Sequence, residues 1–458
     1  MKTASEALSR RRLIGSALLL TGCAPALQRL ALADTKVRDM PLVEIADRNT
    51  GLPLLRLPNG FSYTSFGWTS EQMADGVATP GQHDGMGIIA QDGGVLTLVR
   101  NHEIVFSGEP LGGRPAYDTL AAGGTTTLRF DTARGEWLDA RASLAGTFAN
   151  CAGGVTPWGS WLSCEEAVID LDGRLGPRFS NRRESLEQTH GYVFEVPADG
   201  ADDPQPLKAL GRFRHEAVAV DPRSGIVYET EDNLPRSGAY RFVPERAGDL
   251  SAGRLQMMAI AGRVDLSRDV PRDSWLDVSW VDIDNPEAGH NPGRLDSAGV
   301  YTQGKRAGGT SFRRLEGCWY EDGLIYLTDT TGGNAGCGQV FAYDPAEERI
   351  RLVYESPDRA LLDHPDNVCA TPGGGLLLCE DRPRSVQRMS ALSRDGELMQ
   401  FAANNIQLDE EIHGHHGDFR KKEWAGACFS PDGQWLFVNI QGPGVSFAIT
   451  GPWSEIGV

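Results

Sequence analysis

One phrase recurs six times along the chain: a turn containing Gly, a strand with hydrophobic residues on alternate positions, then an acid or an amide. The copies run Gly93–Glu103, Trp158–Glu166, Asp221–Asp232, Asp322–Asp329, Gly374–Asp381 and Pro431–Asn439. Their turn glycines, at 94, 159, 225, 323, 375 and 433, lie 65, 66, 98, 52 and 58 residues apart. Each interval can hold a four-stranded sheet with its loops. Long helical periodicity is scarce, and clusters of Gly, Pro, Asn and Asp separate the short apolar runs. The phrase therefore predicts an all-β chain, with six equivalent sheets around an axis as a six-bladed β-propeller. A pair of two-sheet sandwiches is the plainer alternative. Uneven spacing places loop insertions on one face, the active-site face, chiefly near 233–310, where Asp282-Ile283-Asp284-Asn285-Pro286 interrupts the pattern.

If the phrase occupies an equivalent strand in each sheet, Glu103, Glu165, Glu231, Asp329, Glu380 and Asn439 converge on a common centre. Like charges a few ångströms apart raise one another's pKa, and bound cations relieve this. Carboxylate-rich surroundings suit calcium. The competing expectation is that each acid caps its own turn. The formal net charge, −18 from 62 acidic and 44 basic residues, gives the chain no electrostatic reason to seek nucleic acid.

Residues 1–33 read as an export signal. Ser9-Arg10-Arg11-Arg12-Leu13-Ile14-Gly15 leads into an apolar run of about ten residues, against roughly 20 for a transmembrane helix. Consecutive arginines resemble a twin-arginine signal, which makes the twin-arginine translocase an expected partner. Ala31-Leu32-Ala33 offers a cleavage site, whereas Leu20-Thr21-Gly22-Cys23 resembles a lipoprotein box in which the signal ends at 22 and Cys23 tethers the chain to a membrane. Both readings place the protein outside the cytoplasm, in the periplasm or at the cell surface. Removing residues 1–22, which carry Lys2, Glu6, Arg10, Arg11 and Arg12, takes the formal charge from −18 to −21. Residues 34–458 read as one β-propeller domain. Of the eight Cys, Cys369 and Cys379 flank a Gly-rich turn and could pair.

Four segments go beyond the repeat: Asn150-Cys151-Ala152-Gly153-Gly154-Val155-Thr156-Pro157-Trp158-Gly159, Gly211-Arg212-Phe213-Arg214-His215-Glu216-Ala217, Phe312-Arg313-Arg314-Leu315-Glu316-Gly317 and His364-Pro365-Asp366-Asn367. With Gly442-Pro443-Gly444 and Phe447-Ala448-Ile449-Thr450-Gly451-Pro452-Trp453, they resemble the PhoX-type alkaline phosphatases over residues 55 to 455.

The resemblance implies a six-bladed propeller that holds iron ions, with a bridging oxide, and calcium ions at one end of its axis, and that hydrolyses phosphomonoesters. It implies Cys151 as a thiolate ligand of iron and Glu216 and Glu316 as carboxylate ligands of an iron pair. Glu165, Glu166, Asp366, Glu380 and Asp381 fall on the calcium ligands, and Arg314 on the arginine that binds phosphate. Arg314 and Glu316, two apart on a strand, face the same side. No Ser or Thr nucleophile is required. His413-Gly414-His415-His416-Gly417 matches no ligand of the family and reads either as a solvated loop or as an extra metal site. A calcium-dependent propeller lactonase or phosphodiesterase, and a non-catalytic propeller stapled by calcium, are the alternatives; neither needs a thiolate. A monomer is expected, as for most propellers.

Overall fold

The computed structural model describes residues 36–176, 179–272, 274–382 and 384–457. The export segment and Cys23 lie outside them. Strands dominate; the α-helices among the described residues are short, at Gly299–Arg306 and Trp453–Ile456. None is long and apolar enough to cross a membrane.

The strands form six antiparallel units in chain order. Their first strands are His83–Asp92, Asn150–Val155, His215–Val220, Leu315–Glu321, Pro365–Ala370 and Trp424–Phe429. Each pairs with a second strand: Val95–His102, Ser160–Glu165, Val227–Glu231, Leu324–Asp329, Leu376–Glu380 or Trp435–Ile440. Every copy of the recurrent phrase has therefore become the second strand of a unit. The six first strands touch one another in sequence, and Trp424–Phe429 returns to His83–Asp92. The ring is closed by chain ends: Ser62–Phe66 pairs with Val445–Thr450 as the outer strand of the last unit. Leu276–Asp282 pairs with both Asp249–Ile260 and Arg349–Glu355, so part of the 233–310 insertion sews the third unit to the fourth at their outer edges.

Apolar residues on alternate positions fill the wedges between neighbouring units. Leu162, Cys164, Val193, Val218, Val220 and Val227 occupy one such wedge; Met86, Leu96, Leu98, Phe130 and Phe437 occupy the one where the ring closes. All seven described cysteines are free thiols. Cys369 and Cys379 do not pair, because Cys369 sits opposite Leu377 and Cys379 opposite Met389.

Two features let six first strands crowd together. One is glycine: a Cβ on Gly154 would lie 2.0 Å from the Val218 carbonyl oxygen of the next unit. The other is a bulge repeated in all six units, where three residues of the first strand oppose two of the second. Register shifts between His83 and Met86, His215 and Val218, Leu315 and Cys318, Pro365 and Val368, and Ala425 and Cys428; in the second unit it shifts between Ser163 and Glu165. A bulge re-aims the side chains beside it.

The acids that end the second strands hold the scaffold instead of converging. Glu165 accepts hydrogen bonds from the backbone N–H groups of Phe148 (2.8 Å) and Gly191 (2.7 Å) and pairs with His190 Nδ1 at 2.6 Å. Asp329 accepts from the N–H groups of Arg313 (3.0 Å) and Arg314 (2.9 Å), and Glu380 from Asp363 (3.1 Å) as well as from Arg388 Nη2 (2.7 Å). These three acids fix the loop that enters the first strand of their unit. Glu231 instead holds Gly238 N–H (3.0 Å) and the Tyr240 hydroxyl (2.7 Å). Asn439 donates to the Asp84 carbonyl at 2.6 Å. Of the expected converging set, only Glu103 reaches the axis. Each of the others lies opposite the first strand's entry, and backbone N–H groups claim oxygens of Glu165, Glu231, Asp329 and Glu380.

Two outcomes follow. Gly154→Ala should lower the unfolding free energy by about 1–3 kcal/mol, since backbone meets backbone and no side chain can yield; a denaturant titration measures it. His190 is buried, which disfavours its charge, but the carboxylates of Glu165 and Asp118 outweigh this and hold its pKa up, at about 9. A raised folded-state pKa stabilises fully below the unfolded value of roughly 6.5 and loses its effect as pH rises through about 9. The stability difference between wild type and His190→Gln should therefore be largest below pH 6.5 and shrink by about 3 kcal/mol between there and pH 9.

Candidate metal centre

The bulges set the geometry of the axis. Just inside each first strand stands a residue turned to the centre: Asp84, Cys151, Glu216, Glu316, Asp366 and Ala425. The residues just past the second strands add a second set, Glu103, Glu166, Asp232 and Asp381. The residues that precede the first strands add a third, with Arg214, Arg314 and Glu423. Successive strand residues point to opposite faces, so in Glu165-Glu166, Glu231-Asp232 and Glu380-Asp381 the first acid serves the sheet and the second the axis.

Three groups of ligand atoms lie within 4.8 Å of one another: Glu103, Cys151 and Glu166; Asp84, Glu103 and Glu423; Glu166, Glu216 and Asp232. Shared members make one continuous cluster. Cys151 Sγ is 3.1 Å from Glu216 Oε1. Glu316 continues the cluster: it pairs with Arg314 and accepts a short hydrogen bond from the Thr330 hydroxyl. Arg314 directs Nε and Nη2, each at 2.9 Å, onto the two oxygens of Asp232. Arg214 pairs with Glu166 and approaches Asp232 at 3.9 Å. Asp366 accepts a hydrogen bond from Nδ2 of its neighbour on the same strand, Asn367, at 2.9 Å.

So dense a set of acids resists ionisation. Burial, then the Glu103 and Asp366 charges, raises the Asp84 pKa well above the usual range, and burial with Glu166, Asp366 and Asp232 does the same to Glu216. Glu423 is raised by burial and by Asp381 and Asp84. Asp366 is pushed up to about 7 by burial and Asp381, with Arg314 opposing. Lost hydration and four neighbouring acids push the Cys151 thiol up as well. Two arginines cannot neutralise this cluster. Its donor chemistry fits metal cations: a thiolate with carboxylates on one side, and the all-oxygen trio Asp84, Glu103 and Glu423 on the other.

Of the residues proposed from sequence, the structure brings Cys151, Glu166, Glu216, Glu316, Asp366, Asp381 and Arg314 to this end of the axis. It keeps Glu165 and Glu380 out, bound to their own sheets. Glu103 joins the cluster, as the converging repeat predicts, whereas Asp84, Asp232, Glu423 and Arg214 emerge only from the fold, although Asp84 and Asp232 left a signal. His83-Asp84-Gly85 parallels His215-Glu216-Ala217, and Glu231-Asp232 parallels Glu165-Glu166. The histidine loop makes other contacts: His413 Nδ1 lies 3.2 Å from Glu71, its ring stacks on Trp68 at 5.5 Å, and His415 Nε2 lies 3.2 Å from the Thr69 carbonyl.

Comparison with known proteins adds three findings. No curated protein matches the chain. Among solved structures, it resembles loosely a gluconolactonase from Xanthomonas campestris (16% identity, TM-score 0.38, covering 81% of this chain and 96% of that one). Others are a putative 6-phosphogluconolactonase from Bacteroides fragilis (12%, TM-score 0.37, 79% and 77%) and a protein of unknown function from Dyadobacter fermentans (9%, TM-score 0.42, 88% and 100%). The family model described as alkaline phosphatase PhoX matches residues 40–144 and 139–444, nearly the whole described chain, and the chain belongs to that family.

Proposed function

We propose that this protein is an exported, metal-dependent phosphomonoesterase, built as a single six-bladed β-propeller over residues 34–458 and released as a monomer by the twin-arginine route. Membership of the PhoX family supports a hydrolase of phosphate esters. The observation that carries the reading is the arginine fork beside the acid and thiolate cluster. Arg314 already holds two carboxylate oxygens at 2.9 Å each, and the same fork matches two oxygens of a phosphate. A lactonase or a merely calcium-stapled propeller has no use for a thiolate at Cys151.

Cys151, Glu216 and Glu316, with Glu166 and Asp232 beside them, would hold iron; Asp84, Glu103 and Glu423, with Asp366 and Asp381 nearby, would hold calcium. Bound there, such ions supply Lewis-acid neutralisation of phosphate charge. The chain's own residues supply position. Thr330 and Arg314 orient Glu316, and Glu216 faces Cys151. Arg314 binds two non-bridging phosphate oxygens, placing phosphorus over the cluster and offsetting the charge that builds on its equatorial oxygens. Arg214 keeps Glu166 and Asp232 aligned. Cys23 is the remaining choice in maturation: lipidation there leaves the enzyme tethered, and cleavage after Ala33 leaves it free.

Arg314→Lys keeps the charge and loses the fork. It should lower kcat/KM for a phosphomonoester by about 100-fold while the metal content measured by elemental analysis stays unchanged. Full activity in that variant would refute the role of Arg314. Chelation of the exported, matured protein should abolish activity and calcium should restore it, whereas Cys151→Ser should lose iron; activity that survives with neither metal would overturn the reading.

A further inference from the structure

A cavity of about 470 Å³ opens beside the metal centre, its lining including Val168, Phe179, Arg214, Asn233, Leu234 and Leu295 together with Asp296 and Ser297. It adjoins the cluster at three points of the chain. Val168 is two residues beyond Glu166, Asn233 follows Asp232, and Arg214 is two residues before Glu216. Arg214 belongs to both places: its Nη2 pairs with Glu166, and its guanidinium carbon lies 6.0 Å from the centre of the Phe179 ring.

The walls come from the insertions. The loop after Ser160–Glu165 contributes Phe179, and the 283–298 segment contributes Leu295. These two loops close on each other where Gly176 meets Leu295, so tightly that a Cβ on Gly176 would lie 2.5 Å from the Leu295 carbonyl oxygen. Asn233 Nδ2 donates to the carbonyls of Ser297 (3.1 Å) and Asp296 (3.3 Å), which binds the insertion to the strand end that carries Asp232. The cavity is thus held by the same backbone that positions the cluster. Among its lining residues Leu234 is an exposed hydrophobic, at 54%.

We infer that this cavity receives the leaving group of the phosphomonoester, and that it favours an alcohol carrying an apolar or aromatic body over a small polar one. The inference rests on the phosphatase reading and names its substrate class. Phosphorus on the Arg314 fork lies beside Asp232, and the chain running from Asp232 to Leu234 leads from there into the cavity. Its volume falls within the range of small-molecule sites, where apolar walls supply affinity and a few polar groups fix orientation. Val168, Leu234 and Leu295 would cover the leaving group's apolar surface. The Phe179 ring offers a face or edge to an aromatic group, with Arg214 above it.

Leaving-group acidity must be kept out of the test, since aryl phosphates react faster for chemical reasons alone. Ethyl phosphate and 2-phenylethyl phosphate both release a primary alkoxide, and their kcat/KM values are compared in the same metal-loaded protein. The wild type should prefer the phenylethyl ester by about 10–100-fold. Phe179→Ala and Leu234→Ser should each reduce that ratio by about threefold or more. Calorimetric binding of 2-phenylethylphosphonate, which cannot be hydrolysed, should exceed that of ethylphosphonate by a similar factor and lose the excess in the same variants. Hydrolysis of both esters with a ratio near one, or a ratio unmoved by both variants, would overturn the leaving-group site and leave the phosphatase reading standing. Hydrolysis of neither ester would overturn both.

Discussion

Repulsion among buried carboxylates is the constraint on which this structure turns. Five of the six first strands deliver Asp84, Glu216, Glu316, Asp366 and the Cys151 thiol to one end of an axis, and neighbouring loops add Glu103, Glu166, Asp232 and Glu423. In a low-dielectric setting each charge raises the pKa of the next, so the assembly is stable in its ionised form only with compensating cations. Arg214 and Arg314 supply part of that compensation and fix geometry while doing so. With metal ions bound there, as proposed, a strongly anionic chain would present a locally cationic mouth to a phosphate ester.

Gathering those groups makes demands on the scaffold. The first strands must approach so closely that Gly154 has no room for a methyl group, and each must bulge at its entry so that one side chain turns inward. The entering loop must then be held against strain. Glu165, Asp329 and Glu380 do this with backbone hydrogen bonds, which is why acids end the second strands at all. Two tiers of acid therefore serve two purposes one residue apart. The outer tier stabilises the ring by satisfying buried N–H groups, and the inner tier gathers carboxylates that could hold metal ions, at a cost in stability.

The paired acids were legible because two adjacent acids after an apolar run call for an explanation beyond surface solvation. Cys151, a lone thiol that by type reads as a small buried hydrophobe, was legible only through the family resemblance. Asp84, Glu423 and Arg214 were harder to see, because each lies next to a strand entry, where charged residues are common. The leaving-group cavity had no local signature, since its walls come from segments more than a hundred residues apart.

Local patterning alone determined the all-β class, the position of all six second strands and the accumulation of acid at their ends, because side-chain alternation and turn chemistry act over neighbouring residues. Whether Glu165 or Glu166 faces the axis, and whether Arg314 lies beside Asp232, was decided by tertiary structure. A single inserted residue in the partner strand reverses which neighbour points inward, and an ion pair 82 residues apart in sequence exists only when two sheets meet.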